Sequence, residues 1–354
     1  MSSEQFLRLE YVTSSESRSK GWHGVLGAAA FDGGALNGGD AGHPLRSSAG
    51  DLPLAHVRTP VLGEAHGVLE VWRTSGATQP GSHGEVRYAR GGDLLFGSVA
   101  VNEPGAAGTP GPDARTPLEI ATSLAYRQMY AALTDCGSQL VRVWNYIADI
   151  NLDTHRLERY RQFNSARHEA TLASGRAVTG SVPAASALGT ASGSPLTIYF
   201  LASRRAPAFI ENPRQVSAYR YPARYGPRRP SFSRATVLGE GSEATLFISG
   251  TASIVGHRTL HAGDLAAQTR ETLVNIEALL EEAARRSGAG PLRLETLAYK
   301  VYVREPNELP VIRAELESAL GPKAAILYLK ADICRPDLSV EIEAVGGGGW
   351  RPAA

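Results

Sequence analysis

One order of elements occurs twice along this chain, and it limits the fold more than any other feature. In the first half Asp93, Leu94, Leu95, Phe96, Gly97, Ser98 and Val99 make an apolar run of strand length. A helix follows, and its start can be read directly: Thr116 as N-cap, Pro117 in the first turn and Glu119 three residues past the cap form a capping box. Leu118, Ala121, Ala125, Met129, Ala132 and Cys136 then recur at steps of three and four, so one face of that helix is predicted to be core. Residues 140–146 alternate and are rich in aromatics, as in a half-buried strand, and a second helical stretch covers residues 157–172. The second half repeats the order. Thr245 to Gly250 reads as the strand and Asp264 as the N-cap, and the helix stripe is Ala266, Thr269, Leu273, Ile276 and Leu280. A strand at 297–303, a helix at about 308–320 and strands at 324–329 and 338–345 complete it.

This repetition predicts an α/β (α+β) chain of two tandem units, each a mixed sheet with helices on one face. Residues 33–50, 102–115 and 174–195 are poor in large apolar side chains and rich in Gly, Pro, Ala or Ser, so they are read as surface loops. The third is taken as the linker, which gives an N-terminal domain of residues 1–195 and a C-terminal domain of residues 196–354.

Charge and cysteine content exclude several function classes. Lys plus Arg number 36 against 35 Asp plus Glu, so no overall positive field exists for nucleic acid or an acidic membrane, and a small-molecule partner is expected. The two cysteines, Cys136 and Cys334, are too few for a disulfide framework. No apolar run reaches the ~18 residues of a membrane helix, and a cytoplasmic setting is expected. Gly239, Gly241 and Ala244 have the spacing of a dinucleotide turn, but a strand follows them instead of a helix, so they are read as a hairpin turn. His257 and His261 lack a third ligand; no metal site and no cofactor are expected.

The strand near the C-terminus is the main candidate for chemistry. Alternation puts Leu338, Val340, Ile342 and Ala344 on one face and Glu341 and Glu343 on the other, ~7 Å apart. A carboxyl enclosed in a cleft has its charged form disfavoured and can serve as a general acid.

Several segments of the second half together look like the YjgF-type reactive-intermediate deaminase domain. They are Tyr225, Gly226, Pro227 and Arg228; Leu246 to Gly250; the helix with Gln268 and Asn275; Lys300 to Val303; and Val340 to Ala344. The resemblance implies clefts between neighbouring sheets, within a monomer or a homotrimer. Residues 324–329 carry no arginine where those deaminases have one, which opposes imine deamination. A more specific resemblance, over about residues 71–345, is to the chorismatases. Its carriers include Arg142 to Ile147; Glu211, Asn212 and Pro213; Tyr221 and Pro222; Ser249 to Thr259; and Asp332 to Arg335. The first ~70 residues show no such match.

This resemblance implies chorismate as substrate, with Glu341 as the acid that protonates the enolpyruvyl methylene and Glu343 in a structural role. Chorismate carries two carboxylates, and arginine can pair with a carboxylate through two hydrogen bonds, so Arg142 and Arg228 are the expected anchors. Tyr146, Tyr221 and Tyr225 are expected to add hydroxyl donors and flat surface. Hydrolytic chorismatases carry Ala where this chain has Gly250 and Cys334, so the resemblance implies the branch that releases 3-hydroxybenzoate and pyruvate. The alternatives are the hydrolytic branch, a non-enzymatic ligand binder and an imine deaminase on the same scaffold.

Overall fold

The computed structural model describes residues 7–13, 16, 23–31, 52–63, 67–105, 115–288 and 292–347. Its strands are β1 Leu7–Thr13, β2 Val25–Phe31, β3 Leu54–Val57, β4 Val68–Thr74, β5 Gln79–His83, β6 Val86–Gly91, β7 Leu94–Val101, β8 Gln139–Ala148, β9 Ala184–Thr190 and β10 Leu196–Ser203. They continue with β11 Ala208–Ile210, β12 Ala235–Leu238, β13 Thr245–Thr251, β14 Ala298–Val303, β15 Ala325–Lys330 and β16 Val340–Gly347. The helices are α1 Pro117–Asp135, α2 Arg159–Ala173, α3 Leu265–Ser287 and α4 Leu309–Leu320. Among the described residues no helix is long and apolar enough to cross a membrane.

Local chemistry sets the helix ends. Thr116 N–H donates to Glu119 Oε2 at 2.8 Å and Glu119 N–H returns to Thr116 Oγ1 at 3.2 Å, the expected capping box. Asp264 accepts from Ala267 N–H at 2.9 Å to start α3, which stops at Gly288 with φ of 62°, a left-handed conformation that favours glycine.

The expected duplication is present strand for strand. In the first unit the order is β6-β7-β10-β8-β9 and in the second β12-β13-β16-β14-β15; β8–β9 and β14–β15 are the parallel pairs, and the other neighbours run antiparallel. Helices α1 and α2 pack on one face of the first sheet, and α3 and α4 on one face of the second. The domain boundary needs correction. Strand β10 lies between β8 and β7, so the first sheet extends past the expected limit at 195, and the stretch read as a linker contributes β9. Small residues such as Ala184, Ala185 and Ala187 concealed a strand that is nearly all buried. The stretch 33–50 lies outside the described residues, as does most of 102–115.

The first 74 residues supply what the sequence did not reveal, a third sheet. Its order is β1-β4-β2-β3 with β2–β3 parallel, the same arrangement as the last four strands of each unit. The helix-free faces of the three sheets meet in a common core that includes Phe31, Trp72, Trp144, Tyr199, Phe247 and Tyr302. At its centre Phe31 and Tyr146 stack edge-on at 6.2 Å, and the Tyr146 and Tyr302 hydroxyls lie 2.8 Å apart. In register, Phe31 faces Val68, Tyr146 faces Thr197 and Tyr302 faces Glu341, so these are corresponding positions around a pseudo-threefold axis.

Candidate active site

A cavity of about 790 Å³ opens between the two larger units. Strand β16 brings Glu341 to it and β13 brings Gly250. Helix α2 and the turn before it add Tyr160, Arg161 and Glu158 from the first unit. The segment between β11 and β12 forms one wall, with Tyr221, Tyr225, Phe232 and Arg234. Cys334 and Arg335 reach the cavity because Asp332 and Ile333 cross to the other unit and pair with Gly189 and Leu188 at the edge of β9.

The pairing of β13 with β16 slips between Ile248 and Thr251, a bulge at Ser249 and Gly250. Four hydrogen bonds hold it. Ser249 N–H donates to Arg234 O at 3.0 Å, Ser249 Oγ donates to Ser233 O at 2.6 Å and accepts from Ala185 N–H at 2.9 Å, and Gly250 N–H donates to Ser186 Oγ at 2.9 Å. The bulge thereby turns Gly250 toward Glu341.

Glu341 is only 4% exposed. Burial, and next the charge of Glu343, push its carboxyl up to about 8 against the pull of Arg142, Arg234 and Arg304. The acid therefore keeps its proton at neutral pH. Burial and then Glu341 push the Cys334 thiol up to about 12, so it is a neutral S–H rather than a thiolate nucleophile. Glu343, two residues along the same face of β16, does not line the cavity and sits in a buried network. Arg142 Nη2 and Ser186 Oγ each donate to Glu343 Oε2 at 2.7 Å, Trp144 Nε1 donates to Oε1 at 2.7 Å, and Lys300 Nζ lies 2.8 Å from Oε1.

The cavity wall is rich in cations: Arg161, Arg224, Arg234, Arg258 and Arg335. Arg335 lies over the Tyr225 ring at 4.5 Å and the Tyr221 ring at 5.3 Å, and donates through Nη1 to His257 O at 3.1 Å. Arg234 donates through Nη2 to the Tyr221 hydroxyl at 2.7 Å and to Val216 O at 2.9 Å. Among the described residues, Arg335 Nη2 and Arg234 Nε are buried without a hydrogen-bond partner.

A family model for the N-terminal region of FkbO/Hyg5-like chorismatases matches residues 70–202. A 3-hydroxybenzoate synthase of Streptomyces hygroscopicus is 40% identical over 295 residues, 80% of this chain and 83% of its own length. The chain belongs to the chorismatase family. A chorismatase of Streptomyces rapamycinicus is 38% identical over 316 residues, covering 86% of this chain and 89% of its own. A chorismatase crystal structure superposes with a TM-score of 0.82 at 31% identity, covering 97% of this chain and 98% of the other.

On this chorismatase-family fold, Glu341, Cys334, Gly250, Tyr221 and Tyr225 come together around the cavity. Three expected site residues do not line it. Arg142 is 1% exposed and serves as counter-charge to Glu343, and Tyr146 is fully buried on the pseudo-threefold axis. Neither lines the cavity, because the aromatic, apolar character of β8 reflects a central core. Arg228 is exposed and outside the cavity lining. Tyr225 contributes its ring, since its hydroxyl already donates to His257 O at 2.6 Å. Arg335 fell within a family-like segment, but neither it nor Arg234 was singled out as an anchor. Their signal was position: Arg335 directly follows Cys334, and Arg234 sits between the aromatic Phe232 and the first strand of the unit.

Proposed function

We propose that this protein converts chorismate to 3-hydroxybenzoate and pyruvate, with Glu341 donating the proton to the enolpyruvyl methylene. The observation that carries this reading is a buried carboxyl held protonated at a cavity between two units, beside Gly250 and Cys334. A general acid must carry its proton at working pH, and protonation of the methylene carbon makes the adjacent ether carbon electrophilic. Arg234 and Arg335, each with a buried donor that has no partner among the described residues, are the anchors for the two substrate carboxylates.

Mass balance directs the product assignment. Chorismate has the same atoms as 3-hydroxybenzoate plus pyruvate, so this branch consumes no net water, and by a rearrangement within the substrate pyruvate takes its carbonyl oxygen from chorismate, whereas the dihydrodiol product needs one added water. A neutral Cys334 thiol on the wall is a poor water ligand and supports the anhydrous course. The name of the 40%-identical relative, 3-hydroxybenzoate synthase, supports the same branch.

The test is purified protein with chorismate and a metal chelator, with pyruvate followed by a coupled assay and the aromatic product by chromatography. Rapidly quenched turnover in oxygen-18 water should leave pyruvate unlabelled before exchange. Dihydrodiol as the main product, or label entering at the cleavage step, would replace this branch with the hydrolytic one; no pyruvate at all would sink the activity.

A further inference from the structure

The pairing registers align the three sheets one step further along. Facing Ala29, Trp144 and Lys300 across their strand pairs stand Glu70, Tyr199 and Glu343, one from each sheet. Lys300 reaches all three: Nζ lies 2.8 Å from Glu343 Oε1 and 2.7 Å from the Tyr199 hydroxyl, and it pairs with Glu70 Oε2. With Arg142 the cluster holds two acids and two cations, and all four side chains are buried. Burial opposes the charge on Glu343, but Lys300 and Arg142 outweigh it and hold the carboxyl below its ordinary range. Buried ion networks contribute little net stability over apolar residues of the same volume, so fold stability alone does not call for this one.

We propose that Glu343, fixed on the axis by Lys300, Arg142, Ser186 and Trp144, is a positioning residue for Glu341: its negative charge keeps the proton on the acid. This deepens the functional reading above and rests on it for the role of Glu341. The two glutamates stand two residues apart on one strand face, ~7 Å from each other. Other charges also face Glu341. Arg142 on β8, Arg234 in the segment before β12 and Arg304 at the end of β14 act on it through space, and all three favour the ionised form. Arg335, Asp337, Arg161 and Glu158 stand on the cavity wall. Tyr11, Tyr146, Tyr199 and Tyr302 surround the network with hydroxyls raised by burial, so they stay neutral. Without Glu343, the three arginines, and a Lys300 balanced by Glu70 alone, pull the proton away from Glu341.

The test is the pH dependence of kcat/KM for wild type, Glu343→Gln and Glu343→Asp. In Glu343→Gln the alkaline limb, where the acid loses its proton, should move down by about one pH unit or more, with much of the rate retained on the acidic side. Glu343→Asp keeps the charge and should restore the limb. A limb that stays in place while the rate falls equally at every pH overturns the proposal. Should Glu343→Gln not fold, carboxyl carbon-13 NMR of the ligand-free wild type decides. Glu343 ionised throughout the titration of Glu341 supports the proposal; the pair sharing one proton, or Glu341 titrating in the ordinary range, overturns it. Wild type that fails to turn over chorismate would refute the functional reading and leave this titration as the test.

Discussion

Gly250 makes the space that the Glu341 carboxyl occupies: a Cβ built at Gly250 would lie 1.9 Å from Glu341 Oε1 and 3.0 Å from Ser186 Oγ. Glycine is needed here for room, at a bulge whose backbone is fixed by hydrogen bonds on both sides.

In Gly250→Ala the carboxyl must therefore swing away, since the bulge backbone is tied and the glutamate end is free to rotate. Combined with Cys334→Ala, which opens room for a water, the double variant should divert product toward the dihydrodiol and let oxygen-18 enter pyruvate. Chromatography of the product mixture checks this. Unchanged 3-hydroxybenzoate with unlabelled pyruvate would refute the link between these two positions and product choice.

Glu341→Gln keeps the shape of a carboxyl that is already protonated, so folding is retained while turnover falls by ~10²-fold or more. The raised carboxyl also makes stability depend on pH. Between its ordinary 4.5 and about 8, the unfolded chain has released a proton that the folded one keeps, so stability declines as pH rises through this window and levels off above it. The Tm of Glu341→Gln relative to wild type should accordingly climb between pH 5 and 8 and then plateau. Thermal melts across this range check the sign, and kcat/KM of wild type should fall as pH rises through about 8.

The arginines divide into two kinds. Arg335→Met should raise KM by roughly 10- to 100-fold with little effect on Tm, as expected for loss of a charge-assisted hydrogen bond to substrate. Arg142→Met leaves Glu343 buried without one counter-charge and should cost about 3–5 kcal/mol of stability. Steady-state kinetics beside thermal melts separate the two effects. A KM change confined to Arg142→Met would reverse the assignment.

A trimer of this scaffold would bury the helix-free face of each sheet against its neighbours, and here three sheets of one chain already do so. The protein should thus behave as a monomer of 37.6 kDa in light scattering at micromolar concentration.

Much of the fold was legible because its signals are local. The capping box at Thr116, the stripe along α3 and the alternation in β16 each lie within a few residues. Arg142 was misread because its partner Glu343 is 201 residues away, and an arginine within an aromatic strand has the same local pattern whether it meets a ligand or a buried acid. The N-terminal sheet escaped notice because the run Val25 to Phe31 is buried on both faces, so it does not alternate. Resemblance singled out Glu341 as a candidate; Arg234 and Arg335 beside it on the wall required the cavity.

The axial lysine shows what joining three sheets in one chain allows. On an axis shared by identical subunits, every side chain near the centre comes in triplicate, and a lysine at that height would set three ammonium groups against one another. Here Ala29 and Trp144 fill the two other corresponding places, and one ammonium group is divided among Glu70, Tyr199 and Glu343. The same freedom holds one step along, where Val68 and Thr197 correspond to Glu341. Covalent connection thus permits an odd charge at the centre and a single carboxyl among three corresponding strand positions, an asymmetry that a homotrimer cannot encode.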